Sequence, residues 1–228
     1  MRLAAGAAAA HGLYGQELPR LEPPSDQTLE PALIDLQERL RGIVAARNHG
    51  ALEALMASTF RPEFDVAKGP AGFRRHWRPQ SATSPVWGVL GRLLALPGYS
   101  YSETLYVSPY VCARFPFHLD LLGHVVATKD GVNMLAEPKA DAARLGSLSY
   151  SIVPLAQPLA PPAIIPEGGF IELKHPQLGR CFAASADVYS PAEHRAFFEK
   201  RQGKWRWISL AAPTMKDPPE LLHKPASG

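Results

Sequence analysis

Two runs of short strands decide the fold of this chain. Residues 125–155 read VVATKDGVNMLAEPKADAARLGSLSYSIVPL, and residues 168–190 read GGFIELKHPQLGRCFAASADVYS. Asp130-Gly131 accepts the positive φ angle of a tight turn, and the polar segment 137–141 marks another turn. We expect strands at 124–128, 132–136, 143–149, 151–156, 169–174 and 180–184. Short strands at this spacing are typical of a small β-barrel.

The same stretch resembles bacterial SH3-like domains in its motifs. Members of that family carry V-x-V-R-x-x-P followed by V-I-G-x-L. They then have an aromatic-led strand, a glycine turn and an aromatic residue before a short helical turn. The chain departs from this pattern at Phe170, where tryptophan is common, and at Cys181, where a glycine usually stands. The segments that correspond to the motifs are 132–138, 144–148, 169–173, 179–180 and 182–188.

The resemblance implies an SH3-like barrel over 122–190 that acts as a non-enzymatic binding or scaffolding module. Its ligand would be a peptide or cell-wall peptidoglycan, held on a strip of aromatic side chains as in other SH3-like barrels. The candidate ligand-binding residues are Tyr150, Phe170, Phe182 and Tyr189, with Tyr150 and Tyr189 as the expected surface contacts. Inward and outward residues alternate along a strand, so some of these rings would fill the barrel instead.

The parts of the chain that flank this stretch predict helices followed by strands. Leucines at helical spacing indicate an amphipathic helix over 29–46, and Ser84-Pro85 begins a second apolar helix. Residues 101–117 favour a strand, interrupted at Ser108-Pro109. Residues 195–210 predict a hairpin with its turn at Gln202-Gly203.

The closing hairpin, with the pattern F-E-K-x-x-G-x-W from Phe198 to Trp205, resembles cystatin-like α+β folds, including nuclear transport factor 2-like domains. That resemblance implies an α+β fold class, with a domain built from 29–117 plus 193–212 and the barrel inserted between its strands. Two sequential domains are the alternative. Residues 1–28 are expected to be irregular or part of a signal-like segment, and residues 213–228 to be a flexible tail.

Composition narrows the function classes. The chain of 228 residues has 24 Lys and Arg against 21 Asp and Glu, and these charges are interleaved. A nucleic-acid binder normally shows a clustered basic face, so we expect no nucleic-acid partner. No cofactor or metal motif occurs, and Cys112 and Cys181 lie in apolar contexts that favour two buried thiols. No segment is as long and apolar as a membrane span.

The N-terminal segment MRLAAGAAAAHG has an early arginine and a short run of small residues compatible with signal cleavage near Ala10. It favours an exported or periplasmic protein, with a cytoplasmic location as the alternative. The oligomeric state has no signature in the sequence.

Sequence motifs for catalysis are nearly absent, which favours a protein that is not an enzyme. Asp65 and His76, with Tyr106 or Tyr110, form one conceivable acid/base group. Glu193 follows Ser190 by three residues, the spacing of a capping box. Three hypotheses follow: a barrel that binds a cell-wall or peptide ligand, a structural barrel that supports a cystatin-like domain with its own ligand pocket, and an enzyme built on that pocket.

Overall fold

The computed structural model describes residues 17–63, 66–160, 165–166 and 168–213. Its helices are α1 (Pro31–Ala45), α2 (His49–Ala54), α3 (Gly69–Trp77), α4 (Val86–Ala95) and α5 (Tyr110–Arg114). Its strands are β1 (Tyr99–Ser102), β2 (Leu105–Ser108), β3 (His124–Ala127), β4 (Val132–Leu135), β5 (Arg144–Leu148), β6 (Ile152–Pro154), β7 (Phe170–His175), β8 (Gly179–Ala184), β9 (Val188–Tyr189), β10 (Arg195–Arg201) and β11 (Lys204–Ala211). The protein is therefore a mixed α+β structure, as the sequence predicts.

One antiparallel sheet, in the order β1-β2-β10-β11, packs against the helices. β10 and β11 form the predicted hairpin, which turns at Gln202-Gly203 with positive φ at both residues. β10 also pairs with β2, so the stretch 122–190 lies in the chain between two neighbouring strands of this sheet. The first hydrophobic core lies between this sheet and the helices, with Leu33, Leu90 and Trp207 among its most buried members.

The stretch 122–190 contains all six predicted strands, but they form two open sheets. Their orders are β6-β3-β9 and β5-β4-β8-β7, and none of the sheets in the described part of the chain closes on itself. The two sheets meet at a bridge between Leu155 and Leu173. They enclose a second core that includes Val132, Leu173 and Cys181.

Residues 19–21 pair with the chain at the start of β6. Arg20 forms an antiparallel bridge with Ser151, and Ile152 donates its amide hydrogen to the carbonyl of Pro19 over 2.7 Å. A segment expected to be irregular thus forms a short strand-like pairing with residues 150–152. Residues 1–16 of the same expected segment lie outside the described residues.

The sheet β6-β3-β9 separates the two cores. Val126, Ile152 and Tyr189 belong to the first core, whereas their neighbours point into the second. Side chains alternate between the faces of a strand, so a sheet with both faces buried is apolar at nearly every position. The sheet β6-β3-β9 therefore contributes one face to each of the two hydrophobic cores.

Three local expectations are corrected or confirmed by these elements. The expected strand over 101–117 ends at Ser108, and α5 then begins after Pro109, which has no amide hydrogen for a strand partner and stands at the N-cap of the helix. The capping box at Ser190 is wrong, since no helix follows it and β10 begins at Arg195. Cys112 and Cys181 are free and buried, as predicted. No helix among the described residues is long and apolar enough to cross a membrane.

Candidate functional site

A cavity of about 310 Å³ lies where the helical part meets the stretch 122–190. We call it the junction cavity. One wall comes from the start of α4 and the turn before it, and the opposite wall comes from the chain around β9 and the link to β10. Its lining includes Arg47, Ala82, Thr83, Ser84, Pro85, Gly88, Val89, Arg92, Ile165, Tyr189, Glu193 and His194.

Arg92 crosses this boundary from α4. Its guanidinium donates to the carbonyls of Ser185 and Val188, at 3.2 and 3.1 Å, and to the carboxylate of Glu193 at 3.2 Å. Its Cζ atom also lies 5.4 Å from the centre of the Tyr189 ring. Arginine can make this many contacts because its planar group carries five donors. Arg92 therefore ties the helix to the far wall and fixes the shape of the cavity.

Glu193 is the buried anion of the junction, with 5% of its surface exposed. Its carboxylate accepts from Arg92 and from the amide of Ile165 at 2.9 Å. Burial raises the pKa of this carboxyl above its ordinary 4.5, while Arg92 and the amide hydrogen bond act in the opposite direction. The charge is held by specific partners, but desolvation still dominates.

His194 lies next along the chain and forms a second polar contact. Its Nε2 atom is 3.1 Å from the Glu63 carboxylate, and its ring packs against Trp77 at 5.0 Å between centres. The other oxygen of Glu63 accepts from the amide of Ala212. The Tyr189 hydroxyl donates to the His194 carbonyl at 2.7 Å. These bonds hold the imidazole at the cavity wall in one orientation.

Arg47 supplies the exposed cation of the cavity. Its guanidinium makes one long hydrogen bond, 3.4 Å, to the carbonyl of Ala82. The lining thus contains two guanidinium groups, Arg47 and Arg92, against one carboxylate, Glu193. The apolar remainder comes from Pro85, Val89 and Ile165.

The four sequence-predicted ligand residues do not form one exposed strip. Tyr189 is only 3% exposed and belongs to the first core, so it is not the surface contact that was expected. Phe182 is buried beneath the guanidinium of Arg180, 5.1 Å from the ring centre. Tyr150 and Phe170 are half-buried. Of the four, Tyr189 lines the junction cavity, and a ligand-binding role for any of them stays a prediction.

The conceivable acid/base group is described only in part. Asp65 lies outside the described residues. His76 is exposed on α3 with its ring against Trp77, whereas Tyr106 and Tyr110 are core side chains. The Tyr106 hydroxyl accepts from the amide of Gly98 at 2.7 Å. Across the described ranges, no group of three or more His, Cys, Asp or Glu side chains has the arrangement of a metal site.

Sequence reasoning missed the residues that build the cavity. Arg92 and Glu193 stand 101 positions apart, and no motif links them. Glu193 looked like the end of a capping box, although its carboxylate instead meets Arg92 and Ile165. A buried ion pair has no local signature, because the sequence does not show what will cover each charge.

Comparison with known proteins adds two distant structural similarities. A crystal structure of an NTF2-like protein with a cystatin-like fold from Novosphingobium aromaticivorans shares 10% identity over 85% of this chain and 87% of its own, with a TM-score of 0.30. A protein from Xanthomonas campestris, described as a calcium/calmodulin dependent protein kinase II association domain, shares 11% identity over 86% and 95%, with a TM-score of 0.28. No protein-family model and no curated protein matches the chain.

Proposed function

We propose that this chain is a binding protein whose junction cavity holds a small organic molecule with a negatively charged group. In this proposal, the two sheets of 122–190 have a structural role: they complete the cavity wall opposite α4. The observation that carries the proposal is the cavity itself, because residues from both sides of the junction line it. Ligand sites often lie where two structural units meet.

Size and charge support this ligand class. A volume of about 310 Å³ is at the lower end of the range for small-molecule sites. Two guanidinium groups and one carboxylate line the cavity, and Arg92 is bonded to that carboxylate. Among the described residues, the Arg47 guanidinium has one hydrogen bond, of 3.4 Å, to the Ala82 carbonyl. Guanidinium groups bind carboxylate or phosphate oxygens through charge-assisted hydrogen bonds. The apolar side chains of Val89 and Ile165 would contact the body of the ligand.

Contacts of His194 support binding over hydrolysis. An oriented imidazole beside a carboxylate can act as a general base, which keeps an enzyme as the second candidate. Among the described residues, however, the ring of His194 hydrogen-bonds only to Glu63, and no hydroxyl or thiol reaches it. The nearby hydroxyls of Ser84 and Tyr189 donate to the backbone carbonyls of Trp77 and His194.

Calorimetric titration with acetate, succinate and inorganic phosphate tests the proposal. We expect saturable binding of at least one probe, lost when Val89→Phe narrows the cavity and weakened by Arg47→Gln. The matched control is Arg39→Gln, which removes an exposed arginine of α1 away from the cavity. The proposal would be contradicted if none of the probes bound saturably. It would also be contradicted if a probe bound Val89→Phe and Arg47→Gln as tightly as it binds the native protein.

The peptide or cell-wall ligand of 122–190, and export to the periplasm, remain separate proposals that rest on the sequence resemblance. Tyr150 and Phe170 retain partial exposure, so they are the rings available to such a ligand. Co-sedimentation with insoluble peptidoglycan tests it, with Tyr150→Ala/Phe170→Ala as the variant. Retention by the native protein and loss by the variant would support it, and no retention would remove it.

A further inference from the structure

The carboxylate of Glu193 lines the junction cavity together with the cations that would attract an anionic ligand. The Nη2 atom of Arg92 lies 3.4 and 3.2 Å from its two oxygens. An anion that contacts this guanidinium therefore lies close to a second negative charge. Because only 5% of Glu193 is exposed, solvent screens the repulsion between the two anions poorly.

Hydrogen bonds hold Glu193 in place at the cavity wall. Its Oε1 atom accepts from the amide of Ile165 at 2.9 Å, and its own backbone amide donates to the Ser190 carbonyl at 3.0 Å. Arg92 is fixed in turn by two backbone carbonyls. Protonation of the carboxylate would therefore relieve the repulsion without a movement of the wall. A protonated carboxyl also gains an O–H donor, which forms a strong hydrogen bond to an anionic oxygen.

Burial already favours the neutral form of Glu193 in the free protein. Desolvation raises its pKa above the ordinary 4.5, although Arg92 and the amide of Ile165 act in the opposite direction. A bound anion disfavours the charged carboxylate as well, so its effect on the pKa has the same sign as that of desolvation.

The neighbouring hydroxyl, thiol and guanidinium groups do not exchange a proton near neutral pH. Tyr189 of β9 lines the cavity, and burial raises its pKa well above the ordinary value. The Cys112 thiol of α5 lies 3.8 Å from the Glu193 carbonyl, and burial raises its pKa to about 12. The two arginines of the lining stay protonated, because a guanidinium does not lose its proton in a protein.

His194 and Arg195 follow Glu193 in the chain. The charge of Arg195 is constant for the same reason as that of the other arginines. His194 also lines the cavity, with its Nε2 atom 3.1 Å from the Glu63 carboxylate. Histidine is a side chain that can change its charge near neutral pH, so an experiment has to separate His194 from Glu193.

We propose that Glu193 takes up one proton when an anion binds in the junction cavity, so that this site binds anions more tightly as the pH falls. The inference rests on the proposed function and adds a regulation of the same site. The proton comes from solvent. The resulting carboxyl O–H donates to an oxygen of the ligand, and the Nη2 donor of Arg92 that the carboxylate occupied becomes available to the ligand.

This linkage gives the affinity a defined dependence on pH. At pH values where Glu193 is protonated in the free protein, the affinity is high and constant. At higher pH it falls by about tenfold per pH unit, because each binding event takes up one proton. Once Glu193 is ionised in the complex too, the affinity levels off at a lower value.

Calorimetric titration of the full chain with sulfate and with methanesulfonate, at a series of pH values, tests the inference. Both anions keep their charge across this range, so a change in affinity reports on the protein. A pH electrode in weakly buffered solution measures the proton uptake directly, and this measurement on the native protein needs no variant. We expect an uptake approaching one proton per bound anion in the interval where the affinity falls.

Two variants identify the group that takes up the proton. Glu193→Gln is permanently neutral at this position, so its affinity should not depend on pH and should exceed that of the native protein at the upper end of the range. His194→Gln is the matched control at the next position, and it should keep the proton uptake of the native protein.

Saturable binding without proton uptake by the native protein would overturn this inference and leave the proposed function in place. Proton uptake that persists in Glu193→Gln and disappears in His194→Gln would assign the proton to the imidazole instead. No saturable binding of either anion at any pH would also overturn it, whereas acetate, succinate and phosphate decide the proposed function separately.

Discussion

At the residue scale, the junction cavity depends on a buried pair of opposite charges. The Arg92 guanidinium donates hydrogen bonds to two backbone carbonyls and to the Glu193 carboxylate. The Glu193 carboxylate also accepts from the amide of Ile165. Removing one partner of a buried pair leaves the other charge uncompensated, which is more costly than losing the pair altogether. The pair thus positions the cavity wall, although its burial carries a desolvation cost.

The desolvation of Glu193 predicts how the stability of the variant Glu193→Gln changes with pH. Because the pKa of Glu193 is raised in the folded state, the folded chain keeps a proton at pH values where the unfolded chain has released it. This contribution to stability is fully present below 4.5, the ordinary value, and is lost as the pH rises through the raised pKa. Glutamine does not ionise and still accepts a hydrogen bond. We therefore expect the free energy of unfolding of Glu193→Gln, relative to the native protein, to increase over that pH interval.

Urea unfolding of both proteins at a series of pH values measures this difference. The control is Glu38→Gln, which removes one carboxylate from the exposed face of α1 and so matches the change in net charge. A relative stability that falls or stays level across the interval would mean that Arg92 outweighs desolvation at this site.

At the element scale, the helices are stabilised by apolar faces more than by intrinsic propensity. α1 buries Leu33, Leu40 and Ile43 at helical spacing, and α4 buries Leu90 and Leu93. Neither helix has a side-chain hydrogen bond at its N-cap. Gly42 in α1 and Gly91, one of the two glycines of α4, each cost backbone entropy in the helix.

Replacing these glycines by alanine should stabilise the protein. A Cβ atom at Gly42 or Gly91 would meet no heavy atom within 4 Å, so the gain in helix propensity has no steric cost. We expect each variant to raise the free energy of unfolding by roughly 0.5–1 kcal/mol. Chemical denaturation of each variant and of the native protein measures this difference in the free energy of unfolding. The matched comparison is Gly72→Ala in α3, where the Cβ would lie 1.6 Å from the Ala67 carbonyl oxygen, and which should destabilise instead.

At the scale of the whole molecule, the sheet β6-β3-β9 lies between the two hydrophobic cores and contributes side chains to both. Its strands contribute Val126, Ile152 and Tyr189 to one core and Val125 and Val153 to the other. The pairing of Arg20 with Ser151 adds a further connection. An isolated fragment 122–190 would expose the first set of side chains to water and lose the strand partner at 19–21.

We therefore expect that fragment not to fold alone and the full chain to unfold in one transition. All four tryptophans lie outside 122–190, so their fluorescence reports on the helices and on the sheet β1-β2-β10-β11, whereas far-UV circular dichroism reports on the whole chain. The two denaturation curves should superimpose. Separate midpoints, or a fragment with a cooperative transition of its own, would show that the two parts are independent.

Local pattern by itself determined most elements of this protein. Six of the seven strands of 122–190, all except β9, and the β10–β11 hairpin were predictable, because alternation and turn chemistry act between near neighbours. Tertiary structure alone decided how those strands pair, since pairing joins residues far apart in the chain: the strands form two open sheets, and residues 19–21 pair beside β6. It also decided the site. Arg92, Glu193 and His194 acquire their roles through burial and through partners far away in the chain, and no local spacing encodes either of these.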